Sequence, residues 1–306
     1  MSLTASTIFI ITILSFNSPD SSSEMSKTSM ENRENPTSEY DRLLSDGVTA
    51  FYETDWSRAR EIFGEMKKIN GDDPRAFFLE SLIPFWAYFF GSEKKKYVDE
   101  YMGLSREAIT LSQQHLRKHP RDTSMVLMLS GLYGYQSLMA ASEGNYRTAI
   151  KSAMDGFKYT RQMLKLDSND PRALIGKGIF NYMMGTIPSE AKWVTNIMGL
   201  KGEKELGFRL LKQASETDSY VSIDAKMMLY YLYEREEELQ KAYELILELA
   251  EEYPENIIFR YKLAECLNRL GYDSEAQETY EKVVELNNSD LLTLKNKSIS
   301  RIESIR

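Results

Sequence analysis

The sequence has little of the residue types on which disulfide and zinc chemistry depend. It contains one cysteine, Cys266, and two histidines, His115 and His119. A single cysteine excludes an internal disulfide framework and any thiol-based zinc site. Because Cys266 lies in an apolar helical stretch with no histidine near it in sequence, we expect a buried, unreactive thiol and not a nucleophile.

The chain also lacks a surplus of basic residues. Its 306 residues include 46 acidic and 38 basic side chains, which gives a formal net charge of −8. This balance is the opposite of the basic surface that nucleic-acid backbones require, so we expect no nucleic-acid partner. With 42% hydrophobic and 11% aromatic residues, the acidic chain can nevertheless bury a substantial core.

A hydrophobic run long enough to span a bilayer is missing from the N-terminus. The run from Thr7 to Phe16 has the length of a signal-peptide core, but no Lys or Arg precedes it and no small-x-small cleavage site follows before Pro19. We expect export to the periplasm or envelope. The alternatives are an uncleaved anchor, or a mis-assigned start and a cytoplasmic protein. If the protein is exported, residues 1–37 comprise a signal peptide and a flexible linker.

What the chain does contain is a repeat. Ala242 and Ala276 are 34 residues apart, and Tyr230 and Ala264 each precede one of them by 12 residues. A helical hairpin of this length cannot bury its apolar face alone and must stack on further copies. From Glu39 onward no period-two alternation indicates a strand. The sequence therefore predicts an all-α chain of stacked hairpins.

The spacing of small and large residues resembles the tetratricopeptide repeat family. Small residues at the eighth and twentieth positions of each unit let the two helices approach closely, and a large apolar residue at the twenty-fourth fills the gap to the next hairpin. The first unit has Gly47, Ala59 and Phe63 at these positions. The resemblance implies a right-handed superhelix of about six hairpins over residues 38–290, followed by a C-terminal capping helix or tail over residues 291–306.

Apolar insertions interrupt the repeat in the middle units. The second unit has about 15 additional residues, from Trp86 to Tyr101, and the fourth has about 17, from Thr186 to Gly202, whereas the third has about seven. Segments this apolar must pack on something. In one interpretation, each insertion covers an exposed end of the solenoid or fills its groove. In the other, one of the insertions contacts a membrane surface or a ligand.

The segment from Gly176 to Ala214 has a more specific resemblance. It contains a helical Gly-x-x-x-Phe-Asn pattern whose first residue is Gly176. An apolar insertion with Pro188 follows, and then glycines that include Gly202 and Gly207. It resembles the eukaryotic tetratricopeptide family linked to inclusion-body clearance and to lipid handling at the outer mitochondrial membrane. The resemblance implies a related arrangement of the middle repeats. It brings no catalytic residue and does not imply a mitochondrial location.

No set of residues indicates catalysis. His115 and His119 are four residues apart on one helical face, a spacing that can hold a divalent metal ion. Two ligands do not make a site, and no carboxylate lies within one further turn on that face. No Ser, His and acid pattern suggests acyl transfer. We therefore expect no metal, no cofactor and no enzymatic activity.

The concave surface is the expected binding face. In the tetratricopeptide family, positions two, five, nine, twelve and thirteen of each first helix face this surface. The same register selects aromatic side chains in this sequence: Phe51, Tyr52, Phe78, Phe85, Trp86, Tyr135, Tyr182, Tyr231 and Tyr261. The Lys, Asn and Arg clamp with which some members bind a C-terminal carboxylate is absent.

An aromatic groove suits an apolar peptide, an amphipathic helix or a lipid-like molecule. We therefore expect a non-enzymatic scaffold that binds a protein segment through its concave face. The alternative function is a carrier of a lipid or other apolar ligand in a groove closed by the two insertions. In a third interpretation the insertions fill the groove, and the nine rings belong to the core.

Overall fold

The structure, a computed structural model, describes residues 36–166, 170–187, 201–217, 221–286 and 288–305. The predicted signal peptide and nearly all of the predicted linker lie outside these ranges. None of the helices in the described ranges is long and apolar enough to cross a membrane. In chain order these helices are α1 (Pro36–Tyr52), α2 (Trp56–Ile69), α3 (Pro74–Trp86), α4 (Lys95–Lys118), α5 (Thr123–Ser142), α6 (Tyr146–Leu164), α7 (Pro171–Gly185), α8 (Lys204–Ser215), α9 (Val221–Arg235), α10 (Leu239–Glu252), α11 (Ile257–Arg269), α12 (Asp273–Glu285) and α13 (Leu292–Ile305).

The helices pack in consecutive pairs. α1 packs on α2, α3 on α4, α5 on α6, α7 on α8, α9 on α10 and α11 on α12, and α13 packs on the last pair. Each pair also contacts the next one along the chain. This arrangement confirms the predicted all-α solenoid of about six hairpins.

Capping residues determine where α3 and α7, the first helices of the second and fourth hairpins, begin. Asp73 accepts a hydrogen bond from the backbone N–H of Arg75, and Asp170 accepts one from that of Arg172, both at 2.9 Å. A proline follows each aspartate at the first helical turn, where its missing N–H costs nothing. The repeated Asp-Pro-Arg-Ala phrase therefore begins α3 and α7 in the same way.

The additional residues of the second unit form helical structure. α3 continues into the π-helical turn Ala87–Gly91, and α4 then runs for 24 residues. Trp86 and Tyr101 are buried. The π-helical turn packs on α13 and on the 3₁₀ turn Ser289–Leu291. This insertion therefore covers the C-terminal end of the solenoid, which is one of the arrangements expected from its apolar composition.

The third and fourth units differ from each other. The additional residues of the third unit lengthen its helices, since α5 has 20 residues and α6 has 19. In the fourth unit, residues 188–200 of the predicted insertion lie outside the described residues. α7 and α8 approach closely at Gly207, where an added Cβ would lie 2.7 Å from the backbone nitrogen of Tyr182. This close approach requires glycine at that position.

Candidate functional site

The nine aromatic side chains of the predicted concave set lie in or against the core. Their packing differs from an open aromatic groove, and their role in binding a partner stays a prediction. Tyr231 is partly buried. The other eight each expose 5% or less of their surface: Phe51, Tyr52, Phe78, Phe85, Trp86, Tyr135, Tyr182 and Tyr261.

Several of these rings contact one another between units. The ring centroids of Phe51 on α1 and Trp86 on α3 are 4.9 Å apart. Tyr52 also contacts Tyr253, which directly follows α10, with 5.5 Å between the ring centroids. Aromatic pairs at such separations contribute about 0.5–1.5 kcal/mol beyond the area that they bury. The first hairpin therefore contacts the fifth, and the solenoid closes on itself.

Polar side chains hold the first hairpin against the last units. The Asn256 side chain donates a hydrogen bond to the carbonyl oxygen of Tyr52. Asn288 donates one to the carbonyl oxygen of Thr54 at 2.7 Å, and the Thr54 hydroxyl donates to the carbonyl oxygen of Glu255 at 3.2 Å. Thr54 has φ 57° at the turn between α1 and α2. The turn between α1 and α2 is therefore hydrogen-bonded to both of the turns that flank the sixth hairpin.

Asp290, in the turn that follows the sixth hairpin, binds side chains of the first and second units. It accepts a hydrogen bond from the Tyr97 hydroxyl at 2.6 Å. Its carboxylate oxygens also lie 3.6 Å from Lys96 Nζ and 3.8 Å from an Arg60 guanidinium nitrogen. The contacts of five residues together form the closure seam: Tyr52, Thr54, Asn256, Asn288 and Asp290.

Asp224 is a buried carboxyl group inside the closed solenoid. It is 1% exposed and accepts a hydrogen bond from the Tyr52 hydroxyl through Oδ1. Its Oδ2 and the buried Tyr135 hydroxyl have no hydrogen-bond partner among the described residues. Burial raises the pKa of Asp224 well above its ordinary value, although the hydrogen bond from Tyr52 acts in the opposite direction. The neutral carboxyl group is therefore the form that suits this environment.

The sequence contains a signal that could have identified Asp224. It occupies the second position of the fifth unit, a position that the tetratricopeptide register assigns to the concave face. It also stands next to Ile223 and Ala225, which are themselves buried. The selection of aromatic residues alone left it out.

An apolar groove of about 170 Å³ lies between α5, α6 and α7. α5 contributes Leu127, Gly131 and Gly134, which occupy the fifth, ninth and twelfth positions of that helix and so share the concave register. α7 contributes Phe180 and the exposed Met183. Because a glycine has no side chain, Gly131 and Gly134 add no side-chain atoms to this groove.

The histidines and the cysteine have other environments. His115 and His119 have ring centroids 4.7 Å apart, and His115 Nε2 lies 2.8 Å from Asp122 Oδ2. In the part of the chain that the structure describes, no three His, Cys, Asp or Glu side chains are grouped so that they could hold a metal ion. Cys266 is buried, and burial raises the pKa of its thiol to about 11. The thiol is therefore uncharged at neutral pH.

The stacked helical hairpins define an all-α repeat protein of the tetratricopeptide type. Residues 170–292, which span less than half of the chain, match the family model described as Iml2/Tetratricopeptide repeat protein 39. The matched segment includes Gly176 to Ala214, so the resemblance to a tetratricopeptide-type family that was expected there is confirmed. A comparison with curated proteins found no match.

Proposed function

We propose that this chain is a non-enzymatic scaffold that binds an apolar segment of a partner protein in the groove between α5, α6 and α7. The apolar lining of this groove, around Gly131, Gly134 and Gly176, is the observation that carries the proposal. Stacked helical hairpins provide extended surfaces for holding a partner. The proposal keeps the expected concave face but assigns binding to this groove, because the aromatic rings are buried.

The groove suits a small number of apolar side chains from one face of a helix or an extended peptide. Its volume of about 170 Å³ is below the roughly 300–1,000 Å³ of sites that enclose a small molecule. Full burial of one apolar side chain contributes about 1.5–3 kcal/mol. Two or three such side chains would account for binding of moderate affinity.

The test uses the full chain and the exposed Met183 at the groove. A photoreactive methionine analogue at this position should crosslink the bound segment, which peptide mass spectrometry then identifies. Met183→Glu should abolish capture of that segment, because a carboxylate in an apolar groove is desolvated without a partner. Tyr272→Glu is the matched control, since Tyr272 is 48% exposed and Met183 is 45% exposed. Equal capture by wild type and Met183→Glu would show that the groove is not the binding site.

The alternative function, a carrier of a lipid or other apolar ligand, has a separate measurement. Organic extraction of the purified chain followed by mass spectrometry would detect a retained lipid. A stoichiometric lipid that is lost in Met183→Glu and kept in Tyr272→Glu would favour the carrier. The small volume of the groove favours the protein scaffold.

A further inference from the structure

One face of α6 carries a line of exposed apolar side chains. Tyr146, Ile150 and Met154 are 67%, 62% and 71% exposed. Their spacing of four residues places them along one side of the helix, and the partly buried Phe157 continues the line. These four residues are called the α6 stripe. Single exposed apolar residues are ordinary, but a contiguous line of them marks an interaction surface.

The α6 stripe is not needed to attach α6 to the solenoid. The opposite face of the helix supplies its buried residues, and this face packs on α5. The buried positions are Ala149, Ser152, Gly156, Tyr159 and Met163. α6 therefore has one apolar face for the core and a second one that faces solvent.

Basic residues accompany the stripe. Arg147, Lys151, Lys158 and Arg161 are exposed on α6, whereas Asp155 is its one acidic residue. By helical geometry Arg147, Lys151 and Lys158 follow a line beside the stripe, and Asp155 lies in the same line between Lys151 and Lys158. Among the described residues, Arg147 and Lys151 have no carboxylate within ion-pair distance. α6 is therefore a locally basic surface on a chain whose net charge is −8.

The basic surface extends to the neighbouring unit. Arg117 at the end of α4 and Lys158 of α6 line the same cleft, which has a volume of about 340 Å³. Arg117 is followed directly by Lys118, which is also exposed. Arg117 and Lys158 thus place positive charge on both sides of this cleft.

We propose that this face of α6 docks on an anionic membrane surface. The α6 stripe would enter the headgroup region, and the Arg and Lys side chains beside it would contact lipid phosphates and carboxylates. An amphipathic helix with basic residues next to an exposed apolar line is typical of such binding. Three of the four side chains of the stripe are highly exposed, and a lipid surface can accommodate them without a groove of matching shape. The positive charges of Arg147 and Lys151 make the surface complementary to anionic lipid.

The experiment measures co-sedimentation of the full chain with phosphatidylcholine vesicles that contain or lack phosphatidylserine. Phosphatidylserine should increase binding, and added salt should reverse the increase. Arg147→Gln together with Lys151→Gln should lower binding to phosphatidylserine vesicles on the order of tenfold. Ile150→Ser together with Met154→Ser should lower it by at least about as much, because this variant removes the inserted side chains.

Matched control variants are available on α13. Leu292 is 55% exposed and Lys297 is also exposed. Leu292→Ser together with Lys297→Gln should leave vesicle binding unchanged. Since all of the substituted side chains are exposed, each variant should keep the thermal midpoint of the wild type.

Two results would overturn the proposal. The first is a failure of the predicted vesicle dependence. Wild type would bind both kinds of vesicle equally, or the α6 variants would bind phosphatidylserine vesicles as tightly as wild type. In the second, light scattering shows that wild type self-associates without vesicles and that the α6 variants do not. The second result would make the α6 stripe an interface between copies of this chain. Loss of vesicle binding in both α6 variants, with no loss in the α13 variant, supports the membrane surface.

Discussion

Tyr52 donates its hydroxyl hydrogen bond to Asp224, a residue that lies 172 positions further along the chain. The bond joins the end of α1 to the start of α9 and thereby links the first hairpin to the fifth. Both side chains are almost fully buried. A solenoid whose distant units are joined in this way cannot offer its aromatic interior to a partner unless it opens. The binding surfaces that we propose, the groove beside α7 and the exposed face of α6, lie outside this aromatic interior.

Replacement of Asp224 by Asn should change how stability depends on pH. The folded-state pKa of Asp224 is raised by burial above the unfolded value of about 3.9. The contribution of the neutral carboxyl group is fully present below about pH 4, and it is lost as the pH rises through the folded-state pKa. Asp224→Asn should therefore gain thermal stability relative to wild type between about pH 4 and pH 8. Thermal denaturation across this range measures the difference.

Asp224→Ala is the control for this experiment. It removes the acceptor of the Tyr52 hydroxyl and should cost about 1–3 kcal/mol below about pH 4, and this cost should shrink as the pH rises, because alanine, like asparagine, does not ionise. Parallel pH profiles for wild type and Asp224→Asn would contradict the assignment of a buried, neutral carboxyl group.

Gly91→Ala should destabilise the protein by about 1–3 kcal/mol. An added Cβ would lie 2.1 Å from the carbonyl oxygen of Asp290, so the π-helical turn and the C-terminal end must separate. Gly103→Ala makes the same chemical change inside α4, where an added Cβ meets nothing within 4 Å. This control should gain about 0.5–1 kcal/mol, because alanine favours the helix. Urea denaturation of both variants measures the contrast, and equal effects would show that Gly91 does not contact Asp290.

Removal of two closure-seam side chains should loosen α1 more than α5, which neither side chain contacts. Asn256→Ala together with Asn288→Ala removes the donors to the carbonyl oxygens of Tyr52 and Thr54. Each lost hydrogen bond should cost about 1–3 kcal/mol, since its carbonyl partner is left unsatisfied. Amide hydrogen exchange by mass spectrometry should become faster in α1 than in α5. The control Gln240→Ala, which removes an exposed contact to Glu244, should leave both rates unchanged.

Trp86→Ala should reduce stability by about 3–5 kcal/mol without preventing partner binding in the groove at Met183. Trp86 is buried against Phe51, so its side chain stabilises the folded state and is not accessible to a partner. Tyr182→Phe removes only the hydroxyl that donates to Glu236 at 2.7 Å and should cost about 1 kcal/mol. Calorimetry and the crosslinking assay separate the two effects. A Trp86→Ala variant of unchanged stability that fails to capture the partner would restore the aromatic groove as the binding site.

Cys266 should react with a maleimide only after the protein opens. Burial raises the pKa of its thiol to about 11, so little thiolate is present near neutral pH and the sulfur is also inaccessible. The labelling rate should rise with urea along the same transition that circular dichroism reports. Labelling of the native protein as rapid as that of the unfolded chain would contradict the buried position.

Local features of the sequence predicted the helices and their pairing. The Ala242 to Ala276 spacing and the proline phrases at Pro74 and Pro171 act within one hairpin, where contacts are between residues close in the chain. The groove beside α7 and the α6 stripe were not predicted. α6 has apolar residues on two faces, and only its packing on α5 shows which face remains exposed.

An all-α solenoid of hairpins could be predicted from periodicity, helix caps and small residues, because helix formation and hairpin packing depend on residues within about 34 positions of one another. The closure of the solenoid, in contrast, is evident only from the folded protein. Closure depends on small rotations accumulated over successive units, which bring Tyr52 to Asp224 and Thr54 to Asn288. The same aromatic register would line an open groove in a wider superhelix, and in this one it is buried.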